Sequence, residues 1–166
     1  MITQYSKDME RVIDALMLCR KLHEGQTDKC GQPYWIHPFT VAMRPFTGHN
    51  NVTSNMIVGL LHDIPEDTGM SVDALATLID LTDEEKDALN ILTRKDGVSY
   101  GQYIDSILES GNKLAIEVKA DDLLHNSNLN RFTDAGIEVL EKDELRAQRY
   151  RECLTKMIYK LNEEEN

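Results

Sequence analysis

The sequence has little of what a secreted or membrane-spanning protein needs. Its three cysteines are odd in number and lack any metal-ligand spacing, so we expect reduced thiols in a cytoplasmic protein rather than a disulfide framework. No apolar run approaches the roughly 20 residues that cross a bilayer. The first dozen residues are polar and acidic, unlike those of a signal peptide. We therefore expect a cytoplasmic protein with no membrane partner.

Positive charge is also scarce. Eighteen Lys and Arg residues face 29 Asp and Glu residues, which gives a formal net charge of −11. Such a chain repels phosphate backbones, so long nucleic acid is not an expected partner. A small anionic substrate remains possible if a metal and a few local cations outweigh the global charge. The sequence does not indicate an oligomeric state.

Strand signals are almost absent, because no β-branched run alternates with polar residues and no Asn-Gly pair joins two such runs. Apolar residues recur at helical spacing instead. With 166 residues and neither a linker nor an internal repeat, we expect one all-α domain over residues 1–166, a bundle of about eight helices. The expected helices cover residues 6–23, 38 to about 47, 54–64, short segments after Ser71 and Thr82, 100–109, 112–126, and 134–161, a range that two helices are expected to fill.

Several helix ends carry local signals. Ser71 is expected to cap a short helix, and Thr82 forms a capping box with Glu85. Pro65 has no amide donor, so the apolar helix that approaches it should end or distort there. Asp143 is expected to cap the last helix.

The most informative segment is HDIPEDT, His62 to Thr68, which follows the apolar run MIVGLL. It places a His-Asp pair directly before a Glu-Asp pair, and the apolar approach predicts burial. Buried charges must be paired or bound to a metal, and His with carboxylate is a common ligand set for Mn, Fe and Zn. The alternative is a solvated helix face, where such pairs also arise by chance.

Two other segments resemble functional sites. The loop from Gly25 to Pro38 is dense in glycine and proline, and such loops commonly carry sites. Alternatively, its Tyr-Trp pair packs on the core while His37 caps the helix behind. In the segment Val118–Asn126, Asp122 and Asn126 share a helix face. The alternative there is an amphipathic helix with a charged outer face.

Taken in order, three motifs resemble the HD-superfamily phosphohydrolases, and more narrowly the hydrolase domain of RelA/SpoT-type enzymes and their small stand-alone relatives. The motifs are HEGQTDKCGQPYWIHP, LLHDIPEDT and VKADDLLHN, and LTRKDGVSYGQYI matches more loosely. The likeness spans about residues 5–130. It implies an HD-domain fold and removal of the 3′-pyrophosphate from (p)ppGpp, or a related small nucleotide, with Mn²⁺.

The resemblance also implies roles for single residues. Asp121 falls where the family usually has alanine, so Asp122 is the implied ligand. Glu66 and Asp67 match the acidic pair that positions or activates the attacking water, and Asn126 matches a contact to the reacting phosphate. The implied metal ligands are His37, His62, Asp63 and Asp122, and the implied substrate-cleft residues are Lys29, Tyr34 and Lys119.

The chemistry suits these residue types. Two His and two Asp ligands leave positions open on an octahedral Mn²⁺ ion for a water, whose pKa the ion lowers, and for a phosphate oxygen. Glu66 would take the proton of that water.

One departure from the family is Asp28, where the hydrolases carry arginine. A carboxylate at this position is expected to face the anionic nucleotide, which weakens the case for (p)ppGpp itself. Two alternatives therefore stay open. One is an HD phosphatase that acts on another nucleotide, such as a nucleoside monophosphate. The other is a catalytically inactive HD-fold protein that binds a nucleotide, although the intact set of ligand and acidic residues argues against it.

Overall fold

The computed structural model describes residues 3–44 and 51–163. Regular structure in these ranges is helical, apart from one isolated β-bridge between Thr27 and Pro33. The helices, in chain order, are α1 (Gln4–Leu22), α2 (Ile36–Ala42), α3 (Val52–Leu61), α4 (Ile64–Thr68), α5 (Val72–Leu78), α6 (Asp83–Leu92), α7 (Tyr100–Ser110), α8 (Lys113–Asn126), α9 (Asn130–Asp134) and α10 (Glu141–Glu163).

The all-α prediction is confirmed, with ten helices in the described residues instead of about eight. The difference arises largely because α4 and α9 have five residues each, too few to show a helical period. The second helix was predicted to extend to about residue 47, but α2 ends at Ala42 and Met43 is its C-cap, so the predicted helix was too long. Residue 47 itself lies outside the described residues. No helix in the described ranges is long and apolar enough to cross a membrane.

Most of the predicted helix ends are confirmed. The Ser71 side chain accepts the Ala74 amide, and Thr82 and Glu85 form the capping box of α6. Pro65 lies in the first turn of α4, where a missing N–H costs little, and the break falls just before it, at His62 and Asp63.

The prediction for the last helices was wrong in two respects. Residues 135–140 separate α9 from α10, and Gly136 adopts a left-handed conformation there with φ of 69°. Asp143 lies inside the first turn of α10 instead of capping it, and its carboxylate accepts the Leu140 amide at 3.2 Å.

The core is organised around α8, which is buried on nearly all sides and packs against α2, α3, α6, α7 and α10. A second close contact joins α2 to α3. A Cβ atom at Gly59 would lie 2.9 Å from the Cα of Ala42, closer than real contacts allow, so the glycine permits the two backbones to approach. These contacts bring together helices that are remote in sequence.

A buried carboxylate links three more helices. Glu85 of α6 is fully buried, and its carboxylate accepts hydrogen bonds from Arg11 of α1 and, at 2.7 Å, from the Ser54 hydroxyl of α3. The same carboxylate accepts the Thr82 amide at 2.8 Å. Both oxygens of the carboxylate therefore accept hydrogen bonds inside the protein, as a buried charge requires.

Candidate metal centre

The four predicted metal ligands come from different parts of the chain and lie together in the fold. His37 comes from the first turn of α2, His62 and Asp63 from the junction of α3 with α4, and Asp122 from α8. The break at Pro65 matters here, because it leaves His62 and Asp63 between two helices instead of on a continuous one. The contacts of α2 with α3 and α8 then bring His37 to the other three residues.

The nitrogen and oxygen atoms of these residues converge. The Nε2 atom of His37 lies 3.2 Å from an oxygen of Asp63 and 3.2 Å from an oxygen of Asp122. The Nε2 atom of His62 lies 3.2 Å and 3.9 Å from the same two carboxylates. Ligand atoms of His37, His62 and Asp63 all lie within 4.8 Å of one another, a group that suits a divalent ion. Asp122 adjoins this group.

The environment of His62 fits a metal ligand. Its Nδ1 atom donates to the Gly59 carbonyl at 2.7 Å, so the lone pair of the neutral ring is on Nε2. That Nε2 atom is buried, and although an oxygen of Asp63 lies 3.2 Å away, it makes no aligned hydrogen bond in the described part of the chain. Buried polar atoms without partners are rare in folded proteins, and a bound ion would satisfy this one.

His125 lies directly behind His37 and was not among the predicted site residues. The two Nδ1 atoms are 2.6 Å apart, and the rings stack at a centroid distance of 4.8 Å. Burial lowers the pKa of His125 to about 3, with help from His37 and Arg131, so its neutral ring can accept a hydrogen bond from the Nδ1–H of His37. The signal in the sequence was the spacing of three residues from Asp122, which places both on one face of α8.

A protonated His37 would balance part of the negative charge of Asp63 and Asp122. Burial alone would lower the pKa of His37, but hydrogen bonds to Asp122 and Asp63 outweigh it and raise the pKa to about 9. Burial likewise opposes ionisation of Asp63, but His62 and His37 hold its pKa below the usual range. An imidazolium at His37 therefore offsets two carboxylates, which is the electrostatic role of a bound cation.

Asp122 is held from behind by two other residues of α8. The Lys119 ammonium donates to it at 2.8 Å, and the Asn126 amide donates at 2.5 Å. Lys119 is buried and its ammonium lies 5.0 Å from the centre of the Tyr103 ring. The structure therefore places Lys119 inside the protein as the partner of Asp122, instead of in an open substrate cleft.

Glu66 and Asp67 lie on α4, one turn beyond Asp63, and both side chains are exposed. One oxygen of Glu66 accepts the backbone amide of Arg94 at 2.8 Å, which ties α4 to the segment after α6. The pKa of Asp67 is raised, first by loss of hydration and then by the charge of Asp63. Their roles in catalysis stay predictions.

Tyr34 contacts the centre directly. Its hydroxyl donates to Asp63 at 2.9 Å, and its ring lies 4.9 Å from that of His23. The alternative in which the Tyr-Trp pair only packs on the core therefore fails for Tyr34, whereas Trp35 does pack, against Phe39 at 6.0 Å.

A cavity of about 340 Å³ opens beside the centre. It brings together three of the predicted residues, Lys29, Tyr34 and Asn126, with His37 at its inner wall. Glu66, Asp67 and Lys119 do not line it. The cavity also has two cations that the motifs did not suggest, Arg131 and Arg146.

The carboxylate of Asp28 was predicted to face an anionic nucleotide, but in the structure it has other partners. One of its oxygens accepts the amides of Cys30 and Gln32 at 2.8 and 2.9 Å. The other lies 3.7 Å from the guanidinium of Arg131. The carboxylate thus shapes its own loop and is paired with a cation, so its presence does not argue against an anionic substrate.

Comparison with known proteins supports the likeness seen in the motifs. No protein-family model matches the chain. It is 35% identical over 85 residues to a GTP pyrophosphokinase of Myxococcus xanthus, covering 49% of this chain and 10% of the relative. It is 34% identical over 97 residues to a guanosine-3′,5′-bis(diphosphate) 3′-pyrophosphohydrolase of Borreliella burgdorferi, covering 57% and 13%. The chain spans about 7 to 18% of the length of the curated relatives it matches.

The fold has a match among solved structures. The structure of a metazoan ortholog of SpoT that hydrolyses ppGpp superposes with a TM-score of 0.65, over 92% of each chain and at 17% identity. At this identity the likeness shows the fold alone. The resemblance predicted from the motifs is confirmed: the chain is similar in sequence to RelA/SpoT-type proteins and has the all-α fold of a SpoT-type hydrolase.

Proposed function

We propose that this protein is a metal-dependent phosphohydrolase that removes the 3′-pyrophosphate from (p)ppGpp or a related nucleotide. The observation that carries this proposal is the convergence of His37, His62 and Asp63, with a buried and unpartnered Nε2 on His62. The curated relatives that are named as guanosine-3′,5′-bis(diphosphate) 3′-pyrophosphohydrolases support the choice of substrate. We also propose that residues 1–166 form a single domain and that the protein is cytoplasmic.

The residues that would hold the metal are His37, His62, Asp63 and Asp122. Their nitrogen and oxygen donors suit Mn²⁺, which we propose as the cofactor. When bound, such an ion neutralises charge on phosphate oxygens and lowers the pKa of a water molecule. The protein keeps the two histidines oriented for this task through Gly59 and His125.

We propose Glu66 as the group that takes the proton of the attacking water. The Arg94 amide occupies one oxygen of the Glu66 carboxylate, which fixes the side chain and leaves the other oxygen for the attacking water. We propose that Asp67 assists Glu66 at the attacking water; its pKa is raised by loss of hydration and by the charge of Asp63. Asn126 would contact the reacting phosphate, and Lys29 and Tyr34 would line the path of the nucleotide.

The two alternative functions, a phosphatase for another nucleotide and an inactive nucleotide-binding protein, are less well supported by the structure. The nucleoside monophosphate phosphatase was kept open by Asp28, whose charge is paired with Arg131. The inactive binding protein would have no use for a histidine kept in one tautomer and aimed at two carboxylates.

The test is hydrolysis by the full chain with Mn²⁺, offered ppGpp, a nucleoside monophosphate and a chromogenic phosphodiester in parallel. We expect GDP and pyrophosphate from ppGpp. If ppGpp survives while another substrate is hydrolysed, the proposed substrate is wrong.

Glu66→Gln tests the proton transfer. The amide oxygen of glutamine can still accept the Arg94 N–H, so the side chain should stay in place and the metal should be retained. We expect kcat to fall by roughly 10²- to 10⁴-fold, the range for loss of a general base. The control is Glu109→Gln, which makes the same change at an exposed position of α7. Loss of metal in the Glu66 variant, or near-normal turnover, would contradict the role.

A further inference from the structure

Three cations converge at the cavity beside the metal centre, although the whole chain carries a net charge of −11. They are Lys29, Arg131 and Arg146. The pKa of Lys29 is lowered, first by loss of hydration and then by Arg146, whereas Asp143, which pairs with Arg146 at 2.6 Å, acts in the opposite direction. Arg131 is paired with Asp28, so the three cations outnumber the two carboxylates beside them, and an anion in the cavity would balance the excess charge.

Arg131 is held at this cavity by other residues. Its guanidinium lies 3.7 Å from the carboxylate of Asp28, and it also contacts the ring nitrogens of His125 at 3.3 and 3.4 Å. Asp28 is itself fixed, because its other oxygen accepts the amides of Cys30 and Gln32. Asp28 therefore supports the position of a cation.

The guanidinium of Arg131 has donors to spare. Arginine presents five N–H donors in a planar fork, and the contacts recorded with the described residues involve its Nη1 atom. Its Nε atom is buried and has no hydrogen-bond partner in the ranges 3–44 and 51–163. A fork of this shape matches the oxygens of a phosphate group.

The contacts of Arg131 indicate on which side of the metal centre it lies. Arg131 contacts the ring of His125, and His125 contacts the Nδ1 atom of His37, whereas the Nε2 atom of His37 faces the carboxylates. The guanidinium therefore lies on the Nδ1 side of His37, away from the ring edge that faces the proposed metal ligands, where the reacting phosphoryl group would bind. A second phosphate of the same nucleotide, lying in the cavity, would be within reach.

We propose that Arg131, held by Asp28, binds a phosphate group of the substrate that is remote from the one hydrolysed. For (p)ppGpp this is the 5′-phosphate chain. The inference rests on the proposed function for the identity of the nucleotide. It makes Arg131 a specificity-determining residue, which favours nucleotides phosphorylated at two positions over those phosphorylated at one.

The first test is binding without metal or turnover. Isothermal titration of the full chain in EDTA would use GDP, which has only the 5′-diphosphate, and guanosine 3′-diphosphate, which has only the group to be hydrolysed. We expect Arg131→Gln to weaken GDP binding by roughly 10- to 100-fold, the effect of losing charge-assisted hydrogen bonds. The loss for guanosine 3′-diphosphate should be at least tenfold smaller.

Two variants act as controls. Arg149→Gln removes the same charge from an exposed position of α10 that does not line the cavity, and GDP binding should stay within about threefold of the wild type. Asp28→Asn keeps an oxygen that can accept the two loop amides but removes the charge that holds Arg131. It should weaken GDP binding less than Arg131→Gln does. If Arg131→Gln unfolds, Arg131→Lys keeps a charge without the fork and should give an intermediate loss.

The second test is kinetic. Arg131→Gln should raise KM for ppGpp more than it lowers kcat, because the contact is the same in the bound substrate and in the transition state.

The outcomes separate this inference from the proposed function. Equal losses of kcat/KM for ppGpp and guanosine 3′-diphosphate would overturn the inference, as would GDP binding by the Arg131 variant with wild-type affinity. Wild-type hydrolysis of ppGpp that is insensitive to Arg131 would refute this inference alone. Arg131-dependent binding of GDP by a chain that cannot hydrolyse ppGpp would refute the proposed function alone.

Discussion

Each histidine of the candidate metal centre has one ring nitrogen bonded to the protein and the other turned towards carboxylates. For His62 the protein partner is a backbone carbonyl, and for His37 it is the neutral ring of His125. Such partners orient a ligand before the metal arrives, and they raise its affinity. Two predictions follow at the scale of single residues.

The first concerns two adjacent aspartates. Asp122→Asn should abolish stoichiometric metal binding, whereas Asp121→Asn should retain it, because an oxygen of Asp122 lies 3.2 Å from His37 and the other 2.8 Å from Lys119. Metal content after gel filtration, measured by elemental analysis, checks this. Circular dichroism of both variants controls for folding, since Asp122→Asn leaves a buried ammonium without its counter-charge. Retention of metal by the Asp122 variant and its loss from the Asp121 variant would show that the assignment is off by one residue.

The second concerns protons at His37. The pKa of His37 is raised to about 9 in the metal-free protein, so its proton stabilises the fold most at low pH, and that contribution disappears as the pH rises through 9. A metal must displace this proton. Apparent metal affinity should therefore rise roughly tenfold per pH unit between pH 7 and 8, with release of about one proton. Titrations in two buffers of different ionisation enthalpy measure that release, and an affinity independent of pH would contradict the prediction.

At the scale of elements, the close approach of α2 to α3 sets the distance between His37 and His62. Gly59→Ala would place a Cβ atom 2.9 Å from backbone of Ala42, so the helices must separate. We expect a loss of about 1–3 kcal/mol in the free energy of unfolding, as for overpacking in general, together with weaker metal binding. Urea unfolding and metal titration measure the two effects.

Gly101 is the matched control for this prediction. It lies in α7 with a negative φ, and an added Cβ would meet no atom within 4 Å. Gly101→Ala should stabilise the protein by about 0.5–1 kcal/mol through helix propensity, without changing metal affinity. If both variants behave alike, the contact between α2 and α3 does not constrain the centre.

At the scale of the whole molecule, the proposed ligands join residues 37, 62, 63 and 122, so a bound ion would link α2, the junction of α3 with α4, and α8. A ligand that binds the folded state stabilises it by about 2.7 kcal/mol at a hundredfold excess over Kd. Removal of the metal with EDTA should then lower Tm by roughly 5–10 °C for a chain of this size. The same EDTA addition to Asp122→Asn should leave Tm unchanged, and an equal drop in that variant would show that the ion binds elsewhere.

The sequence by itself determined the features that depend on near neighbours. The helices, the caps at Ser71 and Thr82, and the break before Pro65 all follow from residues within one or two turns. The adjacent pair His62-Asp63 was predictable for the same reason. The motif order supplied His37 and Asp122 as well, although composition and spacing alone gave no reason to join them.

Only the tertiary structure decided which side chains meet across the chain. His125 contacts His37 from 88 positions away, and Glu85, predicted only as part of a capping box, also bonds to Arg11 and Ser54. The sequence predicts that Asp28 repels an anionic substrate, whereas in the structure its carboxylate is paired with the guanidinium of Arg131. The physical reason is that caps and turns are satisfied locally, whereas the direction of a charged side chain depends on which helices pack around it.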